Sequence, residues 1–120
     1  MEITQCLHTA ILVTDLERAE HFYGEVLKLP KAKERPMKFP GSWYQIGKSQ
    51  LHIIVAPSVP TEIRHEKWGR NPHIAFSVSD LAAAKQQLLN YNCQIQPSAS
   101  GRAALFTQDP DGNIIELSQG

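Results

Sequence analysis

The feature that most constrains the fold of this chain is an internal repeat. The stretch CLHTAILVTDLERAE at residues 6–20 returns as NPHIAFSVSDLAAAK at residues 71–85, an offset of 65 residues. Six of the twelve positions from His8 to Ala19 are identical at this offset, without a gap. Because repeated sequence indicates repeated structural units, the 120-residue chain is predicted to contain two copies of one module.

Each copy begins with a short apolar run, continues with Thr-Asp or Ser-Asp, and then shows apolar residues at helical spacing. Residues 7–13 and 73–78 are rich in β-branched and aromatic side chains, so both are predicted strands. Asp15 and Asp80 are predicted N-caps, because a carboxylate accepts hydrogen bonds from the free backbone N–H groups that begin a helix.

Three further strand-like segments follow each predicted helix. They are KAKERPMKF, SWYQIG and QLHIIVA in the first copy and CQIQP, RAALFTQ and NIIELSQ in the second. Turn residues separate them, as in DPDGN, where Pro110 fixes φ and Gly112 allows a positive φ. The order β-α-β-β-β, found twice, predicts an α+β fold: two βαβββ modules, related by pseudo-two-fold symmetry, form a curved mixed sheet around a pocket. We expect one domain over residues 1–120, with module one at 1–57, a linker at 58–71 and module two at 72–120.

Composition excludes several classes of function. Lys and Arg together number 12, as do Asp and Glu, so the net charge is zero and no nucleic-acid partner is expected. No apolar run approaches the length of roughly 18 residues that a membrane helix needs. The N-terminus lacks the pattern of a secretory signal, and two cysteines make no disulfide framework. We therefore expect a cytoplasmic protein without a membrane or nucleic-acid partner.

Equivalent positions of the two copies carry residue types that bind metals. His8 matches His73 on the first strand of each copy. When the last strands are aligned, with one turn shorter by a residue, His52 lies opposite Glu116. The four equivalent positions therefore hold three imidazoles and one carboxylate, two groups from each copy.

Strand alternation supports the convergence of these side chains on one pocket. His73 shares a strand face with Ala75 and Ser77, and Glu116 lies on the face away from Ile115. A buried carboxylate needs a counter-charge, which a divalent metal ion supplies. Nitrogen and oxygen ligands suit zinc, iron, nickel, cobalt or manganese, and an octahedral ion with four protein ligands keeps two positions for a chelating substrate.

The stretches LHTAILVTDLERAEHFYGEVLKL, PHIAFSVSDL and DPDGNIIEL resemble the vicinal oxygen chelate superfamily, which includes glyoxalase I, extradiol dioxygenases and bleomycin resistance proteins. The resemblance spans residues 8–118 and implies a divalent metal ion chelated by neighbouring substrate oxygens. It implies that His8, His73 and Glu116 are metal ligands and that His52 occupies the fourth ligand place, where glyoxalase I usually has a glutamate. Glu116 or His52 would then move the proton in a lactoylglutathione lyase-like isomerisation.

Two other functions remain open at this point. An Fe(II)-dependent extradiol-type dioxygenase would use two histidines and a glutamate. Its signature tyrosine, ten residues before the glutamate, is replaced by Phe106, and the upstream stretch QPSASG lacks its histidine. A non-catalytic small-molecule binder of the bleomycin-resistance kind would use the same cavity. His52 is either a metal ligand or an acid/base group beside the metal.

Several residues are candidates for contact with a small-molecule substrate. Arg102 and Arg70 could hold a substrate carboxylate or could lie in solvated surface. Trp43, Tyr44 and Phe106 could form an apolar wall of the pocket or plain core. We also expect a homodimer, as is common among family members of this size, whereas no motif identifies the substrate.

Overall fold

The computed structural model describes residues 1–33, 39–60 and 65–120. Within these residues the chain divides into two units, Met1–Val59 and Pro60–Gly120. The division falls inside the segment predicted as a linker, and each unit holds one copy of the repeat. Each unit combines a helix with a mixed sheet, so the predicted α+β fold with two βαβββ modules is confirmed.

The first unit places a three-stranded sheet beside a short helix. Its elements are β1 (His8–Val13), α1 (Leu16–Glu20), β2 (Gly41–Ile46) and β3 (Ser49–Val55). Strand β3 lies in the centre, parallel to β1 and antiparallel to β2. The predicted strand KAKERPMKF is represented by one antiparallel bridge between Lys31 and Tyr44, and its residues 34–38 lie outside the described residues.

The helix of the first unit begins as predicted but continues as a π-helix. Asp15 caps it, because the Asp15 Oδ1 accepts a hydrogen bond of 2.9 Å from the Arg18 N–H. From His21 to Val26 the chain then forms a π-helical turn instead of the expected continuous α-helix. The wider turn buries two adjacent rings, Phe22 and Tyr23, which meet edge to face with centroids 4.9 Å apart.

The second unit contains a four-stranded sheet and a longer helix. Its elements are β4 (His73–Val78), α2 (Leu81–Asn90), β5 (Gln96–Pro97), β6 (Ala104–Gln108) and β7 (Ile114–Gln119). The strand order is β4-β7-β6-β5, with β7 parallel to β4 and antiparallel to β6. Asp80 caps α2 as predicted, and its Oδ1 lies 3.1 Å from the Ala83 N–H. The predicted linker contains a single 3-10 turn, Trp68–Arg70.

The turn DPDGN fixes the register of the β6–β7 hairpin. The buried Asp109 carboxylate accepts two backbone hydrogen bonds, from Asp111 N–H at 2.9 Å and Asn113 N–H at 2.8 Å, and one from the Asn113 side chain at 2.8 Å. Gly112 adopts a φ of 87°, as the sequence predicts. The resulting register pairs Phe106 with Glu116 across the hairpin.

Each sheet has one face that packs on its own helix. In the first unit this face carries the buried Tyr44, Leu51 and Ile53, and in the second it carries Ile115 and Leu117. Residues between these positions alternate to the opposite face. Among the described residues, no helix is long and apolar enough to cross a membrane.

Candidate functional site

Three aromatic rings form a column on the helix-free face of the first sheet. The His52 ring stacks on Trp43, with centroids 3.9 Å apart and an interplanar angle of 5°. On its other side His52 stacks on His8, with centroids 4.2 Å apart and an angle of 13°. The sheet register explains this arrangement, because His52 pairs with Ala10 on β1 and with Trp43 on β2. The structure therefore brings the two predicted ligands of the first unit together.

Two glutamines determine which nitrogen of His52 carries its hydrogen. The Gln45 Nε2 donates to the carbonyl oxygens of Gly47 at 2.8 Å and Ser49 at 3.2 Å, so its Oε1 accepts from the Gln50 Nε2 at 3.1 Å. The Gln50 Oε1 then faces the His52 Nε2 at 2.9 Å. This chain of amides favours hydrogen on Nε2 and leaves the lone pair of neutral His52 on Nδ1.

A cavity of about 340 Å³ lies against this column. Its lining consists of Leu7, His8, Trp43, Lys48, Gln50 and His52. Of the two histidines that line this cavity, His52 is buried, with 8% of the residue exposed, whereas His8 is exposed. The cavity offers imidazole nitrogens at an apolar wall, which is the combination expected of a small-molecule site.

The second unit brings the other two predicted ligands into direct contact. The His73 Nε2 lies 3.2 Å from the Glu116 Oε1. The His73 Nδ1 lies 2.7 Å from the carbonyl oxygen of Asn71, which can only accept, so Nδ1 must carry the hydrogen. In neutral His73 the Nε2 lone pair therefore faces a carboxylate oxygen. Two such acceptors need a proton or a metal cation between them, and the pair fits a metal site in its donor chemistry.

The Glu116 carboxylate is surrounded by groups that favour its ionised form. Burial raises the pKa of Glu116, but a hydrogen bond from Ser118, the positive charge of Arg102 and the contact with His73 together hold it below its usual value. The Ser118 Oγ donates to Oε2 at 2.7 Å, and the Arg102 Nη2 lies 3.5 Å from the same oxygen. Glu116 is therefore an anion at neutral pH.

Phe106 supplies the apolar surface next to this pair. It is 5% exposed and presents its ring to His73 edge to face, with centroids 5.4 Å apart. A cavity of about 400 Å³ opens beside it, and its lining includes Arg70, His73, Arg102 and Glu116. The predicted substrate contacts Arg102 and Phe106 thus lie with the second pair of predicted ligands.

Tyr44, which was predicted with Trp43 and Phe106 as part of an apolar pocket wall, does not lie on the pocket side of the sheet. Trp43 and Tyr44 are neighbours on β2, so their side chains alternate to opposite faces. Trp43 faces His52, whereas Tyr44 is 1% exposed and lies on the helix side, where its ring centroid is 6.3 Å from that of Tyr23. The structure therefore places Trp43, but not Tyr44, beside His52.

Metal binding by all four predicted ligands stays a prediction. His8 and His52 belong to the unit Met1–Val59, and His73 and Glu116 belong to the unit Pro60–Gly120. Across residues 1–33, 39–60 and 65–120, no group of three or more His, Cys, Asp or Glu side chains is arranged to hold a metal ion.

Three further residues, not predicted from the sequence, orient these side chains. Gln50 and Ser118 lie two residues from His52 and Glu116 on the same strands, and strand alternation by itself places them on the same faces. Asn71 acts on His73 through its backbone carbonyl, which no side-chain pattern reveals.

Known proteins resemble this chain over nearly its whole length. The model of the glyoxalase/bleomycin resistance protein/dioxygenase superfamily matches residues 5–117. A lactoylglutathione lyase of Haemophilus influenzae is 30% identical over 125 residues, which cover 94% of this chain and 90% of the relative. The mitochondrial methylmalonyl-CoA epimerase of Mus musculus is 26% identical, over 93% of this chain and 71% of that protein.

Solved structures share the fold at lower identity. The fosfomycin resistance protein FosX of Mesorhizobium loti has a TM-score of 0.76 at 20% identity, covering 99% of this chain and 94% of that one. This likeness concerns the fold alone. The family match over residues 5–117 includes both copies of the repeat. The chain therefore belongs to the glyoxalase/bleomycin resistance protein/dioxygenase superfamily.

Proposed function

We propose that this chain is a metal-dependent enzyme of the glyoxalase-like type. It would chelate two neighbouring oxygens of a small-molecule substrate and catalyse isomerisation by proton transfer, in line with its relatives named lactoylglutathione lyase. The observation that carries this proposal is the contact between the His73 Nε2 and the Glu116 Oε1, two acceptor atoms 3.2 Å apart with the Nδ1 hydrogen already bound to Asn71.

His8, His52, His73 and Glu116 would hold one divalent metal ion, which is zinc, nickel, iron, cobalt or manganese by the chemistry of these donors. When bound, such an ion stabilises negative charge on a substrate oxygen as a proton leaves the adjacent carbon. The proposal combines donors from both units, and it rests on the repeat equivalence of these positions and on the family match.

The residues of the chain have separate roles in the proton transfer. Ser118 and Asn71 orient Glu116 and His73, so these donors need no rearrangement when substrate binds. Glu116 is an anion that can accept a proton, and His52 is the second candidate, with its Nε2 in contact with the Gln50 Oε1. Glu116 or His52 moves the proton, and Phe106 excludes water from one side of the second pair.

The first experiment is elemental analysis of the purified chain after dialysis against each candidate metal. We expect about one divalent ion per chain, and roughly tenfold weaker binding after His73→Ala or Glu116→Gln. His21→Ala and Glu25→Gln are matched controls, because this exposed pair on the first helix lies 3.1 Å apart without any predicted ligand role. Failure to take up any of the five metals would overturn the proposal.

Activity is then tested by NMR, as the exchange with D₂O of the proton on the lactoyl carbon next to the thioester carbonyl of lactoylglutathione. We expect exchange in the metal-loaded chain and its loss on chelation. Bound iron together with oxygen consumption in the presence of a catechol would move the assignment to an extradiol-type dioxygenase. Ligand binding that survives chelation, without exchange, would indicate a non-catalytic binder.

A further inference from the structure

We propose that the cavity beside His73 and Glu116 is an anion-binding pocket that receives a carboxylate, phosphate or phosphonate group of the ligand. The cavity measures about 400 Å³ and lies within the unit Pro60–Gly120. The assignment of this ligand as the substrate rests on the proposed function, whereas anion binding does not.

The side chains that line the pocket carry a net positive charge. Lys67, Arg70 and Arg102 contribute three positive charges, and Glu116 contributes the single negative charge. The chain as a whole is neutral, with 12 basic and 12 acidic side chains, so the pocket is a local concentration of positive charge. Within the described part of the chain, neither Lys67 nor Arg70 forms an ion pair. An entering anion would therefore meet cations without displacing a carboxylate from either of them.

The wall that carries Lys67 and Arg70 is held by specific hydrogen bonds. The Gln96 Oε1 accepts from the Trp68 N–H at 2.7 Å, and the Gln96 Nε2 donates to the Glu66 carbonyl oxygen at 2.9 Å. The buried Asn71 side chain donates to the carbonyl oxygen of Lys67 at 3.2 Å. The backbone beneath both cations is thus fixed before a ligand arrives, which lowers the entropy cost of binding.

The segment that carries Lys67 and Arg70 also packs tightly against Phe106, another residue of the lining. A Cβ atom added at Gly69 would lie 2.6 Å from the Phe106 Cζ, so the 3-10 turn approaches the ring as closely as only glycine allows. Phe106 pairs in register with Glu116. Phe106 therefore gives the pocket an apolar surface next to the Glu116 carboxylate.

The lining of the pocket also includes serine hydroxyl groups and the guanidinium of Arg102. The Arg102 Nε donates to the Ser100 Oγ at 3.1 Å, and the Ser98 and Ser100 hydroxyls lie 2.9 Å apart. The contact of the Arg102 Nη2 with Glu116 is long, at 3.5 Å, and the Arg102 side chain is 57% exposed. Arg102 can therefore turn an edge of its planar guanidinium to an anion, with N–H donors spaced to suit two oxygens on one carbon or phosphorus.

The test is an NMR titration of the chain after removal of metals, at constant ionic strength. Methylphosphonate and acetate represent the two anion chemistries, and acetamide is the neutral probe with the shape of acetate. Variants Lys67→Gln, Arg70→Gln and Arg102→Gln are compared with Lys85→Gln, which removes one positive charge from the exposed face of α2 outside the pocket. A thermal melt of each variant confirms that it is folded.

We expect saturable shifts at the amides of residues 67–70 and 98–102 with methylphosphonate, acetate or both, and none with acetamide. Each pocket variant should weaken binding about fivefold, and Lys85→Gln should leave it unchanged. Equal shifts with acetamide, or equal affinity in Arg70→Gln and Lys85→Gln, would overturn the anion pocket. Metal uptake measured on the same samples separates the two proposals: anion binding without metal uptake contradicts only the proposed function, and the reverse contradicts only this inference.

Discussion

The contact between Gly69 and Phe106 predicts a steric cost that can be isolated by mutation. In Gly69→Ala the new Cβ would lie 2.6 Å from the Phe106 Cζ, and it must move by about 0.8 Å to reach an ordinary contact of 3.4 Å. Phe106 is 5% exposed and is held by β6, so the ring has little room to retreat. Overpacking of this kind costs about 1–3 kcal/mol of unfolding free energy.

Urea unfolding measures this cost. With a slope of about 1.5 kcal/mol per molar urea, a loss of about 2 kcal/mol lowers the midpoint by roughly 1.3 M. The double variant Gly69→Ala, Phe106→Leu should recover part of the loss, because a smaller side chain relieves the collision. Gly24→Ala is the matched control, since Gly24, like Gly69, has no positive φ and its added Cβ would lie 3.5 Å from the nearest atom, an ordinary contact.

A Gly69→Ala variant that unfolds at the wild-type urea concentration, or additive effects of Phe106→Leu and Gly69→Ala on stability, would contradict this steric cost. A further readout connects the packing to the pocket. Because the turn carries Arg70, its displacement by Gly69→Ala should also weaken methylphosphonate binding, whereas Gly24→Ala in the first unit should leave that binding unchanged.

Three other predictions follow from buried polar groups. Asp109→Ala removes three hydrogen bonds to a buried carboxylate and should cost about 2–4 kcal/mol in urea unfolding, while Asp109→Asn should keep part of this stability because one amide oxygen still accepts. Burial raises the pKa of the Cys93 thiol, so at pH 8 a disulfide reagent should label the exposed Cys6 first; equal rates would contradict the placement of Cys93. The pKa of Glu116 is lowered on folding, so its ionised form stabilises the metal-free chain above the usual value of 4.5 and this contribution is lost as pH falls below it. The stability difference between wild type and Glu116→Gln should shrink over that range, and a constant difference would contradict the assigned contacts.

Local signals in the sequence were sufficient to place most strands and both helix starts. The strand His73–Val78 has the predicted bounds, and Asp15 and Asp80 act as N-caps, because alternation and capping depend on a few neighbouring residues. The π-helical turn His21–Val26 was not predictable in this way. It accompanies the packing of Tyr23 near Tyr44, a contact between residues far apart in sequence.

The candidate site was predictable to different degrees in the two copies. On β7, apolar residues alternate with Glu116 and Ser118, so the face of the carboxylate follows from the sequence. On β3 His52 shares its face with the apolar Ile54 as well as with Gln50, so alternation is less clear there, and the pairing with Trp43 shows where the imidazole lies. Strand parity could have separated Trp43 from Tyr44, since adjacent residues point to opposite faces.

The anchors of the two imidazoles explain why the repeat predicts positions but not their environments. His52 has its Nε2 bonded to the side chain of Gln50, whereas His73 has its Nδ1 bonded to the backbone of Asn71. In each case one ring nitrogen is committed to an acceptor, and the lone pair of the neutral ring is assigned to the other. A backbone carbonyl is present at every residue, so its selection as an anchor depends on the path of the chain through the turn before β4. The two copies therefore orient their imidazole nitrogens by different means, and the repeat predicts only the sequence positions of the two histidines.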